Sequence, residues 1–266
     1  MAGRDKGTSE QQTLSRTLEF LKTMAMSCAA LSVNEIADEL KVSKPTAYSI
    51  VNSLVAQNYL EKNPDSGKYH IGYSFYVMGH SYPRLYPFLI YAENYAIQLY
   101  EKLRMRVNIC VFKPPMTALV IASKDSSLVA RHVNGYVLPA HLSASGKVLL
   151  ASLDQDKAME YISSSELYSF TSKTITSPER LMEELSQVRA KGYATDIEEF
   201  VPGHVCISAP VKGAKSETVC SISLSRCPLD RFQAEGDKLI AQVKSTAMQI
   251  SLDLGYPREY NMGSGV

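Results

Sequence analysis

The chain has 266 residues, long for one domain and comfortable for two. Hydrophobic residues make up 45% and charged residues 21%, which excludes a disordered chain. A net charge of +1 excludes a protein that coats nucleic acid by bulk positive charge, but leaves room for a local DNA-reading element.

In chain order, residues 1–10 are polar and read as a tail. Over residues 11–28, Leu14, Leu18, Leu21 and Ala25 recur at three- and four-residue steps, the pattern of an amphipathic helix. Ser32 and Glu35 are spaced as a capping box that opens a short helix with Ile36, Ala37 and Leu40 inward. Ser43 offers a second N-cap, and Pro45 sits in the first turn, where a missing N–H is harmless. The helix that follows carries Ala47, Ile50, Val51, Leu54 and Val55 on one face. Two β-prone runs, Tyr59 to Lys62 and Lys68 to Ile71, flank an Asn-Pro-Asp-Ser-Gly turn and read as a hairpin. Three helices and a hairpin make a winged helix-turn-helix over residues 11–80. Its outward residues Lys44, Thr46, Tyr48 and Ser49 are the candidates for the major groove, with Lys68 on the wing for phosphate. Residues 1–82 hold eight basic and eight acidic side chains, so a single module predicts modest DNA affinity.

Residues 81–104 read as a linker helix entering a second domain over residues 105–256, with residues 257–266 as a tail. Short β-like runs at 107–112, 118–123 and 128–133 precede a small-residue turn, Ser143 to Lys147, that opens a helix. Further helices are expected at 156–162 and from Ser177-Pro178 to Lys191. An acidic loop, Asp196 to Glu199, leads into a hairpin with strands at 204–211 and 218–225, and residues 230–254 make a final amphipathic helix. The fold class is therefore α+β, with a mostly antiparallel sheet.

The hairpin strands carry Cys206, Ser208, Ser221, Ser223 and Ser225, unusual polar content for a sheet interior and suggestive of a small-ligand pocket. The turn at Ser143–Lys147 presents free amides and the positive end of a helix, suited to a carboxylate, although any helix start has such amides. Gly146-Lys147 is not a phosphate loop, because His141 stands where that motif needs glycine and Val148 where it needs Ser or Thr. Cys206 and His204 share a strand face, but no third group orients them as a catalytic pair, so no catalytic residue is assigned. The five histidines lack metal-ligand spacing, and no cofactor is expected. Five cysteines without a CxxC pair read as reduced thiols in a cytoplasmic protein. There is no signal peptide and no apolar run of about 18 residues, so no membrane partner is expected.

Six segments together resemble the IclR family of bacterial transcriptional regulators. They are LSRTLEFL from Leu14, NEIADELKVSKPTAYSIVNSLVAQNYL from Asn34, YHIG from Tyr69, SASGKVLLA from Ser143, KGYATDIEE from Lys191 and GHVCISAPV from Gly203. The resemblance implies a winged helix-turn-helix followed by a GAF-like effector domain. It also implies a homodimer or dimer of dimers on a double-stranded DNA operator, and a small organic or aromatic acid as effector. Carried over by position, the effector residues are Ala144, Ser145, Asp196, Cys206, Ser223 and Ser225. The chain departs from the family pattern at Pro45, Tyr48 and Ser49, where Ser, His and Arg are usual, and at His70, where the wing usually has Arg. The expected function is a ligand-responsive regulator, a repressor by expectation. Other readings are a pocket protein whose helix-turn-helix makes protein contacts, or an enzyme acting through Cys206.

Overall fold

The computed structural model describes residues 9–113, 117–124 and 137–257. The expected strand at 128–133, most of the N-terminal tail and most of the C-terminal tail lie outside the described residues. The chain divides into two compact units between Tyr86 and Pro87.

In the first unit α1 (Ser9–Ser27) packs on α2 (Val33–Leu40) and α3 (Lys44–Ala56), followed by a hairpin of β1 (Leu60–Lys62) and β2 (Tyr69–Ile71) and by α4 (Ser74–Ser81). The capping box forms as the spacing predicts: Ser32 N–H donates to Glu35 Oε2 at 2.7 Å, and Glu35 N–H to Ser32 Oγ at 3.3 Å. Lys41 then turns left-handed and stops α2, leaving Ser43 to cap α3 through Thr46 N–H. Phe20, Leu21 and Met24 meet Ile36, Leu40, Ala47, Val51 and Leu60 in one core.

The buried face of α1 differs from the one its leucines suggest. Leu14 and Leu18 are 60% and 53% exposed, whereas Thr17, Phe20, Leu21 and Met24 are buried. Two apolar stripes compete on this helix, and the one carrying Phe20 and Met24 meets the core.

The wing turn is held by Asn63, whose side-chain oxygen accepts from Asp65 and Ser66 N–H, and by Gly67 at φ +67°. At its base Gly72 donates to Tyr59 O, and a Cβ on residue 72 would sit 2.2 Å from Asn58 O. Glycine is required there by close approach of two backbones.

Residues 81–104 are not one helix. A 3₁₀ turn, Tyr82–Leu85, follows α4, Pro87 lies in the turn beyond it, and α5 (Leu89–Leu103) packs on the sheet of the second unit.

That sheet has six strands in the order β5-β4-β3-β8-β7-β6, each antiparallel to its neighbour. The strands are β3 (Arg106–Lys113), β4 (Thr117–Lys124), β5 (Val137–Pro139), β6 (Ala194–Ile197), β7 (His204–Lys212) and β8 (Thr218–Pro228). The acidic stretch expected as a loop is half strand. Residues 194–197 pair with β7, and only Glu198 onward turns. Four residues of mixed polarity at a sheet edge carry too little periodicity to be read as a strand.

The two faces of this sheet differ in chemistry. Val107 and Ile109, Val205, Ile207 and Ala209, and Ile222 and Leu224 point one way, onto α5 and onto α9 (Leu229–Asp253) with its Leu239, Val243, Ala247 and Ile250. The other face is small and polar and receives α6 (Ala144–Ala151). Behind α6 lie α7 (Gln155–Ser164) and α8 (Pro178–Lys191), sharing a core of Val148, Leu150, Tyr161, Leu181 and Leu185.

Candidate functional site

Antiparallel register decides which side chains meet, because paired residues share a face. Asp196 pairs with Cys206, and Arg106 with Ser225. A bulge in β8 at Ser225 and Arg226 lies opposite Cys206, whose thiol meets Ser225, and the Ser225 hydroxyl accepts from Asn108 Nδ2 at 2.8 Å. Asp196, Cys206 and Ser225 therefore form a polar row across three strands, which Asn108 of β3 reaches from the adjacent row. The adjacent row is Ala194, Ser208, Ser223 and Asn108, and the next is Pro210, Ser221 and Cys110.

The first turn of α6 lies above these rows. Ser143 caps it, its hydroxyl accepting from Gly146 N–H at 3.0 Å, which leaves the amides of Ala144 and Ser145 without intrahelical partners. The Ser145 hydroxyl is 3.4 Å from Ser208 Oγ and also reaches the Cys110 thiol. Ser208 spends its own proton on Ile222 O at 3.1 Å. Ser145 is thus held only by one long hydroxyl contact and by a weakly bonding thiol. Gly146 is fixed by steric necessity: a Cβ there would lie 2.0 Å from Ala140 O in the 3₁₀ turn Ala140–Leu142.

Of the six residues carried over from the resemblance, the fold brings Asp196, Cys206 and Ser225 into one row and places Ser223 and Ser145 beside it. Ala144 turns its side chain into the apolar core under α8, so only its backbone amide is available to the site. Sequence reasoning missed Asn108, the partner of Ser225. It also dismissed Lys147, which stands among the largest fully buried side chains at 0% exposure.

Lys147 Nζ is 2.7 Å from Glu199 Oε1 and 3.1 Å from Glu184 Oε1, tying α6 to α8 and to the turn after β6. That turn is built by Asp196, whose Oδ1 accepts from Glu199 N–H at 2.8 Å and Phe200 N–H at 3.3 Å. Thr171 and Thr174 hold it from the far side by donating to Glu198 O at 2.7 Å and Glu199 O at 2.6 Å. Burial raises the carboxyls of both Glu199 and Asp196 above the usual range, and the Lys147 charge opposes this only in part. Burial, reinforced by the Asp196 charge, pushes the Cys206 thiol up to about 12. A thiol in that state is a poor nucleophile. The site offers hydrogen bonds and small apolar surface, the equipment of a binding pocket.

In the first unit, Lys44, Thr46, Tyr48 and Ser49 are all exposed on α3, while Ala47 and Val51 of the same helix are buried. The helix presents an outward polar face, as a groove-reading helix requires. Two of the expected contacts are already engaged: Thr46 Oγ1 lies 2.8 Å from the cap Ser43 Oγ, and Lys68 Nζ lies 3.5 Å from Glu35 Oε2.

A wing-bearing helix-turn-helix joined to an antiparallel-sheet domain with a polar inner face is the architecture of a DNA-binding regulator with a sensory domain. The chain belongs to the IclR family of bacterial transcriptional regulators. Residues 13–64 match the IclR helix-turn-helix domain, and residues 92–252 match the bacterial transcriptional regulator IclR C-terminal domain. Two curated relatives come from Escherichia coli K12. The HTH-type transcriptional regulator XynR is 27% identical over 92% of this chain and 98% of its own length, and the HTH-type transcriptional repressor AllR 28% over 92% and 90%. Among solved structures, Thermotoga maritima IclR superposes with a TM-score of 0.80 at 26% identity, covering 92% of this chain and all of that one. An IclR homologue from Microbacterium hydrocarbonoxydans, solved with 4-hydroxybenzoate, superposes with a TM-score of 0.77 at 22% identity, covering 91% and 98%, and shares the fold. Among the described residues no helix is long and apolar enough to cross a membrane.

Proposed function

We propose that the chain is an effector-responsive repressor. Its α3 reads an operator in double-stranded DNA, and the face beneath α6 binds a small carboxylic acid. The observation that carries the effector half is the meeting of the free α6 amides with the row Asp196, Cys206 and Ser225 and with Asn108 beside it. Helix amides receive a carboxylate, and the row beside them supplies hydrogen-bonding side chains, among them Asp196, whose carboxyl is raised above its ordinary range by burial. A small acid bound by another family member, 4-hydroxybenzoate in the Microbacterium protein, fits this reading.

The effector acts by binding one arrangement of the regulator better than another. A homodimer, or a pair of dimers, supplies the two reading helices that a palindromic operator needs. It also compensates for the balanced charge of each module through multivalent binding.

Fluorescence anisotropy with DNA from the flanking intergenic region tests the first half. Sequence-selective binding that weakens with salt and is lost in Lys44→Ala is expected, and its absence from the wild type overturns the proposal. A drop in DNA affinity when small acids are added, abolished by Ser145→Phe and Ser223→Phe, tests the second half. A response that survives both changes places the effector elsewhere.

A further inference from the structure

We infer that the effector site extends along the sheet to Ser221, and that its ligand is a short polyhydroxylated carboxylic acid rather than an aromatic one. This rests on the effector reading above and adds a residue and a ligand class to it.

Among the described residues, four buried side-chain polar atoms lack a hydrogen-bond partner, and two of them are Ser221 Oγ and Ser223 Oγ. Both residues are closed off from solvent, at 0% and 1% exposure. Their register fixes where they point. Ser221 pairs with Cys110 and Ser223 pairs with Ser208, and it is Cys110 and Ser208 that the Ser145 hydroxyl touches. The two unpartnered hydroxyls thus lie on the α6 side of β8, beside the helix turn with the free amides.

Buried hydroxyls are matched in nearly all folded proteins, so two adjacent unmatched ones on one face mark a place for a polar partner. The apolar face of the same strand shows that β8 has no general tolerance for polar side chains: Cys220, Ile222 and Leu224, the alternate residues, are fully buried against apolar neighbours. An aromatic ring laid on Ser221 and Ser223 would leave both hydroxyls unmatched. A carbon chain bearing a hydroxyl on each carbon supplies a donor and an acceptor at each step. The carboxylate takes the α6 amides, the first hydroxyls take Ser145 and Ser223, and the last takes Ser221.

Titration calorimetry of the full chain with glycolate, glycerate and threonate, two, three and four carbons long, tests this. Hexanoate and 4-hydroxybenzoate serve as comparison acids. Affinity is expected to rise at least tenfold from glycolate to threonate. In Ser221→Ala that gain disappears while glycolate binding stays within about twofold. The ligand-free Ser221→Ala variant is expected to melt no lower than wild type, because it loses a hydroxyl that bonds to nothing. A lower melting point gives Ser221 a structural role and overturns the inference. So does an affinity that stays flat along the series, a gain that survives in Ser221→Ala, or tighter binding of hexanoate or 4-hydroxybenzoate than of threonate. If none of the five acids binds, the effector reading itself falls, and this inference with it.

Discussion

Lys147→Met removes the single cation that sits between Glu199 and Glu184 and keeps the length of the side chain. Glu199 is largely buried, and its second carboxylate oxygen already lacks a partner, so the variant leaves a buried charge uncompensated. Breaking a buried pair from one side costs about 3–5 kcal/mol. For a unit the size of residues 87–266 each kcal/mol lowers the melting point by about 2–4 °C, so the expected drop is about 6–20 °C. Differential scanning calorimetry of the full chain reads this in the transition with the larger enthalpy, since unfolding enthalpy scales with size. Two controls isolate the cause. Lys157→Met breaks an exposed pair with Asp154 at 3.0 Å and should leave the transition nearly where it is. Lys147→Met combined with Glu199→Gln should be more stable than Lys147→Met alone, because the stranded charge is gone. The deficit of the single variant should also shrink in acid, where Glu199 takes up a proton. If Lys147→Met shifts the transition no more than Lys157→Met does, the buried pair is not what holds α6.

Three further outcomes follow from the site. Gly146→Ala drives a methyl group into Ala140 O, so it should lower the same transition by several degrees or prevent folding, as read by calorimetry and soluble yield. Asp196 keeps its proton longer when folded than when unfolded, so its stabilising contribution is full below the ordinary aspartate range and is lost as pH rises through its raised folded value. Denaturation midpoints of Asp196→Asn should therefore gain on wild type through that interval and converge with it in more acid solution; parallel curves would refute the assignment. With a thiol pushed up to about 12, Cys206 carries about one thiolate in ten thousand at pH 8. Iodoacetamide followed by peptide mass mapping should label the exposed Cys28 long before it, and fast labelling of Cys206 would revive a catalytic reading.

Features set by neighbouring residues were legible in the sequence. The Ser32–Glu35 box, the Ser43 cap with Pro45 behind it, and the Ser177-Pro178 helix start all formed as their spacing implied, because each is settled within one helical turn. Features set by distant pairing were not. Lys147 looked like a failed phosphate loop until the fold brought it Glu199 from 52 residues away and Glu184 from α8. Asn108 was read as one residue of a short strand, and only the β3–β8 register made it the partner of Ser225. Asp196 was assigned to a loop because four mixed residues at an edge have no periodicity to show. The α1 stripe misled for a related reason: two apolar faces are visible on that helix, and which one is buried depends on the helix it meets.

The strict alternation along β8 divides its work between two sets of neighbours. Cys220, Ile222 and Leu224 answer to the apolar face, while Ser221, Ser223 and Ser225 answer to the face under α6, the one proposed above to take the effector. On that proposal, substitutions at the odd positions change the α6 side of the sheet and leave its apolar side as it is. A regulator that works as proposed would change its effector one strand residue at a time against an unchanged apolar layer. Meanwhile α6, clamped by Gly146 and Lys147, is the fixed wall opposite that changing surface.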